Sequence, residues 1–163
     1  MAGEVSFDVV SDFDEQELRN ALDQVRREVV QRYDLKGAHV ELVQEKTRLV
    51  LVTDSDMHAK SVRDLVESKA VRRNLSLKIF AWGEIQPAGG NRVRQEIELR
   101  RGLSDELARK IVKLIRDEFP KIQPRVQGDA VRVAGKSKDD LQRVIGRLRE
   151  LDEDVPLQFE NYR

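Results

Sequence analysis

Leu49-Val-Leu-Val-Thr-Asp-Ser-Asp-Met-His-Ala-Lys-Ser-Val-Arg63 and Val131-Arg-Val-Ala-Gly-Lys-Ser-Lys-Asp-Asp-Leu-Gln-Arg-Val-Ile145 are two versions of one pattern, 82 residues apart. At that offset Leu49 meets Val131, Leu51 meets Val133, Ser55 meets Ser137 and Val62 meets Val144. Alternating apolar residues make each copy open as a half-buried strand, the serine fits a helix N-cap, and the following 3.6-residue periodicity continues as a helix. An internal duplication explains the coincidence. The copies differ in charge at the cap, acidic in the first and basic in the second.

Outward from this core, each half reads strand, helix, strand, strand, helix, strand. In the first half, Val5, Phe7 and Val9 alternate as a strand. Leu18, Leu22, Val25, Val29 and Tyr33 line one face of a long helix that Gly37 helps to stop. His39 to Val43 and Arg48 to Thr53 form a hairpin, a helix runs from about Asp56 to Arg73, and Leu75 to Trp82 returns as a strand. In the second half, Val93 to Arg101 alternates and Ser104 caps a helix. Gly128-Asp129 turns a hairpin between Ile122 to Gln127 and Val131 to Ala134. Ser137 caps the last helix with Asp140 in a capping-box position, and Leu157 to Asn161 closes as a strand. Gln86-Pro-Ala-Gly-Gly-Asn91 is the one concentrated breaker segment, so the expected domains are 1–88 and 89–163. The fold class is α+β: two ferredoxin-like βαββαβ units with antiparallel sheets and helices on one face. Which opening strand completes which sheet is open, since the two can exchange between units.

Composition narrows the function classes. Of 163 residues, 37% are charged and 39% hydrophobic, with 30 basic and 30 acidic side chains. A zero net charge removes the general argument for nucleic-acid binding. Residues 1–90 carry three more acidic than basic side chains and 91–163 three more basic than acidic, so an anionic ligand is expected to lean on the second half. There is no cysteine, and His39 and His58 have no partners at ligand spacing, so no metal site and no cofactor are expected. No signal core or membrane-length stretch occurs, which makes a cytoplasmic location the default.

Ala130 to Ser137, ending Gly-Lys-Ser before a helix, imitates the end of a P-loop but lacks its first glycine and alternates as a strand. A single phosphate beside Lys136 and Lys138 is the surviving form of that idea. Arg109, Lys113 and Arg116 share one helix face, Arg100 and Arg101 stand before Gly102, and Lys36 precedes Gly37. Phe159 and Tyr162 on the last strand read first as core and rim packing and, in the alternative, as a surface that with Arg163 would stack on and pair with a purine. Only 5% of residues are aromatic and the third strands have none, so the stacking face of an RNA-recognition module is missing. Asp54 and Asp56 sit where a helix begins and read as dipole partners rather than a carboxylate pair. No triad can be assembled, and an enzyme is not expected.

The opening Ser6-Phe-Asp-Val-Val-Ser11, the element Tyr33-Asp-Leu-Lys-Gly37, the run from Val126 to Gln142 and the ending Pro156 to Arg163 resemble the YajQ family of bacterial nucleotide-binding proteins. Leu35 stands where the family usually has phenylalanine, and Ser137 where arginine is common. The resemblance implies two ferredoxin-like domains and a non-enzymatic receptor for cyclic di-GMP that passes its bound state to a partner such as a transcription regulator. The contacts expected from position and motif are Lys36, Arg100, Arg101 and Lys136 to phosphates, with Phe159 or Arg163 against a guanine, in the crevice between domains. The alternatives are an RNA- or tRNA-binding module using Arg109, Lys113 and Arg116, and a protein-interaction scaffold without a nucleotide.

Overall fold

The computed structural model describes residues 3–163. The chain runs β1 (Val5–Val10), α1 (Glu15–Val29), β2 (Val40–Gln44), β3 (Arg48–Thr53), α2 (Asp56–Arg72), a 3₁₀ turn (Leu77–Ile79) and β4 (Phe80–Ala88). It continues β5 (Arg92–Leu99), α3 (Asp105–Glu118), β6 (Gln123–Gln127), β7 (Ala130–Gly135), α4 (Lys138–Arg149) and β8 (Gln158–Glu160). The repeated stretch is therefore β3 with α2 and β7 with α4. Both helices start on the expected serine: Ser55 accepts the His58 N–H at 3.2 Å and Ser137 accepts the Asp140 N–H at 3.4 Å. These bonds satisfy donors that a helix start leaves without partners.

Two four-stranded antiparallel sheets result, ordered β2-β3-β5-β4 and β6-β7-β1-β8. Each has the ferredoxin-like order, but the opening strand of each half completes the other half's sheet. β5 pairs with β3 and β4, whereas β1 lies between β7 and β8. The compact units accordingly are Phe13–Arg100 and, separately, the segment up to Asp12 together with Arg101–Arg163. The boundary expected between 88 and 89 falls inside the β4–β5 hairpin. Gly90 and Asn91 take positive φ there (+73° and +60°) and turn the chain back rather than link domains. Pro87 stands on β4, an edge strand, where one side of the ladder has no neighbouring strand to bond and proline is tolerated.

Each unit has its own core. Leu18, Leu22 and Val25 of α1 and Val62 and Leu65 of α2 pack on Leu49, Leu51 and Ile97 of the first sheet. Phe7 and Val9 of β1 join Ile111, Ile115, Val131, Val133, Val144 and Leu148 in the second. Tyr33 does not extend the buried face of α1: the helix ends at Val29, Tyr33 lies in the following turn at 98% exposure, and Leu35 is buried instead. β1 also buries a polar residue on its other face. Asp8 is held by Arg132 (Nε to Oδ1 3.1 Å) and by the Asn161 amide, whose nitrogen donates to Oδ2 at 2.9 Å. Past β8 the pairing resumes, since Ser6 and Arg163 exchange backbone hydrogen bonds of 3.2 and 3.0 Å.

A candidate anion-binding groove

Helix α3 buries Ala108, Ile111, Val112 and Ile115, and the 3.6-residue repeat then turns Arg109, Lys113 and Arg116 outward. Beside it runs β6, the edge strand of its sheet, in which Pro124 is buried while Arg125 and Val126 are exposed. Helix and edge leave between them a groove of about 540 Å³ lined by Arg109, Val112, Lys113, Arg116, Arg125 and Val126, with Asp117 at its end. Four cations thus face one carboxylate. Arg109, Arg116 and Arg125 have no hydrogen-bond or ion-pair partner among the described residues. Lys113 holds Asp117 at 2.8 Å, and that hydrogen bond with the carboxylate charge keeps its ammonium protonated above the usual lysine range.

The stripe is short. From Arg109 to Arg116 the helix advances about 10 Å. Asp105, one turn before Arg109, and Asp117, one turn after Lys113, bound it with negative charge at both ends. Guanidiniums without carboxylates bind phosphate oxygens in bidentate fashion, and in a shallow, solvent-open groove they do so reversibly.

In the other unit, α1 and β2 form a corresponding groove of about 650 Å³ lined by Glu15, Arg19, Asp23, Arg26, Val43 and Glu45 among others. Its charges cancel, and Arg26 is engaged. The guanidinium donates from Nη1 to Asp23 at 2.9 Å and from Nε and Nη2 to the Leu42 carbonyl at 3.0 and 2.6 Å.

The six residues expected to contact a ligand divide between the two units. Lys36 and Arg100 belong to the unit Phe13–Arg100. Lys36 is exposed in the turn after α1, and the Arg100 backbone N–H donates to the Ile79 carbonyl at 2.8 Å. In the other unit, Lys136 follows Gly135, which opposes Val5, and Arg163 opposes Ser6, so these two cations share one end of the sheet. Arg101 binds Asp12 at 2.6 Å, beyond the other end of β1. Strand geometry puts the two ends roughly 17 Å apart. Phe159 is half-buried, edge-on to Phe7 at 5.9 Å, with the Arg149 guanidinium 5.6 Å from its ring centroid. Asp54 accepts the His39 N–H, just before β2, at 2.9 Å, whereas the cap of α2 is Ser55 and the acidic residue of its first turn is Asp56. The α3 stripe was visible in the sequence, whereas Arg125 was missed. Its only signal was a charge on a strand beside a proline, and only tertiary packing sets it against α3.

Among the described residues no three His, Cys, Asp or Glu side chains gather as a metal site, and no helix is long and apolar enough to cross a membrane. Two ferredoxin-like units with exchanged strands define a class of small duplicated α+β proteins, here with a cationic groove on one unit. Residues 5–163 match the family model described as nucleotide-binding protein, YajQ-like. Over the full length of both chains the sequence is 61% identical to a protein of Chloroflexus aggregans and 55% identical to one of Roseiflexus castenholzii, each named a nucleotide-binding protein. A nucleotide-binding protein of Parasynechococcus marenigrum is 54% identical, again over the whole of both chains. The chain belongs to the YajQ-like family.

Proposed function

We propose that this protein is a non-enzymatic nucleotide-binding effector that holds the phosphates of cyclic di-GMP in the α3–β6 groove and passes the bound state to a protein partner such as a transcription regulator. The observation that carries the reading is the set of three arginines, Arg109, Arg116 and Arg125, which line one groove without partners among the described residues. The family name and the relatives' names support a nucleotide as the source of the phosphates. Asp105 and Asp117 at the ends of the stripe favour a compact ligand over a long polyanion, which would have to cross them.

Salt dependence tests this choice. Binding that neutralises two phosphates weakens with a slope of log K against log salt no steeper than about −2, and a chain of many phosphates gives a proportionally steeper slope. Calorimetric titration with cyclic di-GMP and with a short single-stranded RNA, from about 50 to 200 mM salt, separates the two. Saturable binding of cyclic di-GMP with the shallow slope supports the reading. Binding of RNA alone, with a steep slope, would replace cyclic di-GMP by RNA on the same Arg109, Lys113 and Arg116 face.

A further inference from the structure

The duplication supplies an internal comparison for the groove. α1 and α3 correspond at an offset of 90 residues, Glu15 to Asp105, which sets the buried Leu18, Ala21 and Val25 on Ala108, Ile111 and Ile115. β2 and β6 correspond at 82, because Leu42 opposes Leu51 as Pro124 opposes Val133. At these offsets Arg19 falls on Arg109 and Arg26 on Arg116. The shared arginines therefore do not distinguish the grooves. Among the positions that differ, two account for the excess positive charge: Asp23 against Lys113, and Val43 against Arg125. Together they make the α3–β6 groove three charges more positive.

The exchange also decides what the shared arginine does. In the α1–β2 groove Arg26 is satisfied internally by Asp23 and the Leu42 carbonyl. Its counterpart Arg116 has Lys113 three residues earlier in place of the aspartate, and no partner among the described residues. One groove has its anion built in as a side chain, and the other is left to take one from solution.

We infer that Lys113 and Arg125 are the specificity-determining residues of the anion site and that the chain takes one anionic ligand rather than two, the α1–β2 groove being self-neutralised by Asp23. This rests on the proposed function, in that the phosphates must enter the α3–β6 groove. Lys113 reaches them from its bond to Asp117, a pair whose side chains are 78% and 61% exposed and which yields readily to a competing anion.

Calorimetry with cyclic di-GMP as the probe tests the inference on the full chain. All four substituted positions are exposed, and coincident thermal unfolding curves check that each variant folds as the parent does. The variant Lys113→Asp with Arg125→Val gives the α3–β6 groove its twin's residues, and affinity should fall by about a hundred-fold or more, two charge-assisted contacts being lost. The variant Asp23→Lys with Val43→Arg makes the reverse change, and the stoichiometry should rise from one to two. Stoichiometry remaining at one overturns the inference and leaves the functional reading standing; full affinity in the first variant overturns the inference together with the groove placement, and leaves only the binding of cyclic di-GMP itself. An unchanged baseline with the parent protein overturns the functional reading itself.

Discussion

Replacing Phe7 by alanine tests the strand exchange directly, because sequence proximity and structure give opposite answers about where the damage appears. Phe7 lies six residues before Phe13, where the unit Phe13–Arg100 begins, yet its ring is fully buried in the other core. It contacts the rings of Phe159 and Tyr162 at centroid distances of 5.9 and 6.1 Å. Removing a buried phenylalanine costs about 3–5 kcal/mol. That is a large part of the roughly 5–15 kcal/mol by which a domain is stable, and it raises the population of the opened unit about a hundred- to several-thousand-fold. Native-state hydrogen exchange resolves such openings by segment. Amides of β7, α3 and α4 should lose protection by this factor, while those of α1, α2 and β3 keep theirs. The mirror substitution, Ile97→Ala, at about 2–5 kcal/mol, should do the reverse although Ile97 lies in the C-terminal half. Accelerated exchange in α1 and α2 of Phe7→Ala, with β7 unaffected, would refute the exchanged topology.

Asp8→Ala should destabilise the protein by about 3–5 kcal/mol in denaturant titration, since Arg132, only 19% exposed, would keep its charge without a carboxylate. Gly83→Ala should cost about 1–3 kcal/mol, because a Cβ there would come within 2.7 Å of the Glu96 carbonyl oxygen at the β4–β5 bulge; an unchanged melting temperature would show that the bulge yields freely. Glu28 has its pKa lowered by its hydrogen bond to Lys69, whose side chain is 8% exposed. A carboxylate depressed in the folded state stabilises above its unfolded value, here near 4.5, and that stability is lost as pH falls through the lower folded value. Glu28→Gln should therefore be less stable than the parent at neutral pH and converge with it below about pH 4; a constant difference across the acid range contradicts the linkage.

The elements of the repeat were legible because cap, alternation and helical period agree in each copy, as Ser55 and Ser137 both demonstrate. The exchange was not, since Val5, Phe7 and Val9 present an apolar alternation that fits a neighbouring strand in either sheet. Gly89, Gly90 and Asn91 read as a linker because a tight turn and a domain junction use the same residues. Periodicity alone turns Tyr33 inward, because it does not mark where a helix ends. The duplication itself is masked in the first helices, whose offset of 90 differs from the 82 of the later elements by the longer connection from Val29 to Val40. On the candidate site, the α3 stripe follows from helical spacing, whereas its meeting with Arg125 depends on β6 lying at the sheet edge.

Paired charge reversals decide whether phosphates enter the α3–β6 groove. Cyclic di-GMP would be titrated into the parent, into Arg116→Glu with Arg125→Glu, and into Arg101→Glu, all three positions being exposed. One saturable site is expected in the parent, retained in Arg101→Glu and weakened at least a hundred-fold in the groove variant, two charge-assisted contacts having become repulsive. Parental affinity in the groove variant, with loss in Arg101→Glu, would contradict it and move the site to the end of β1.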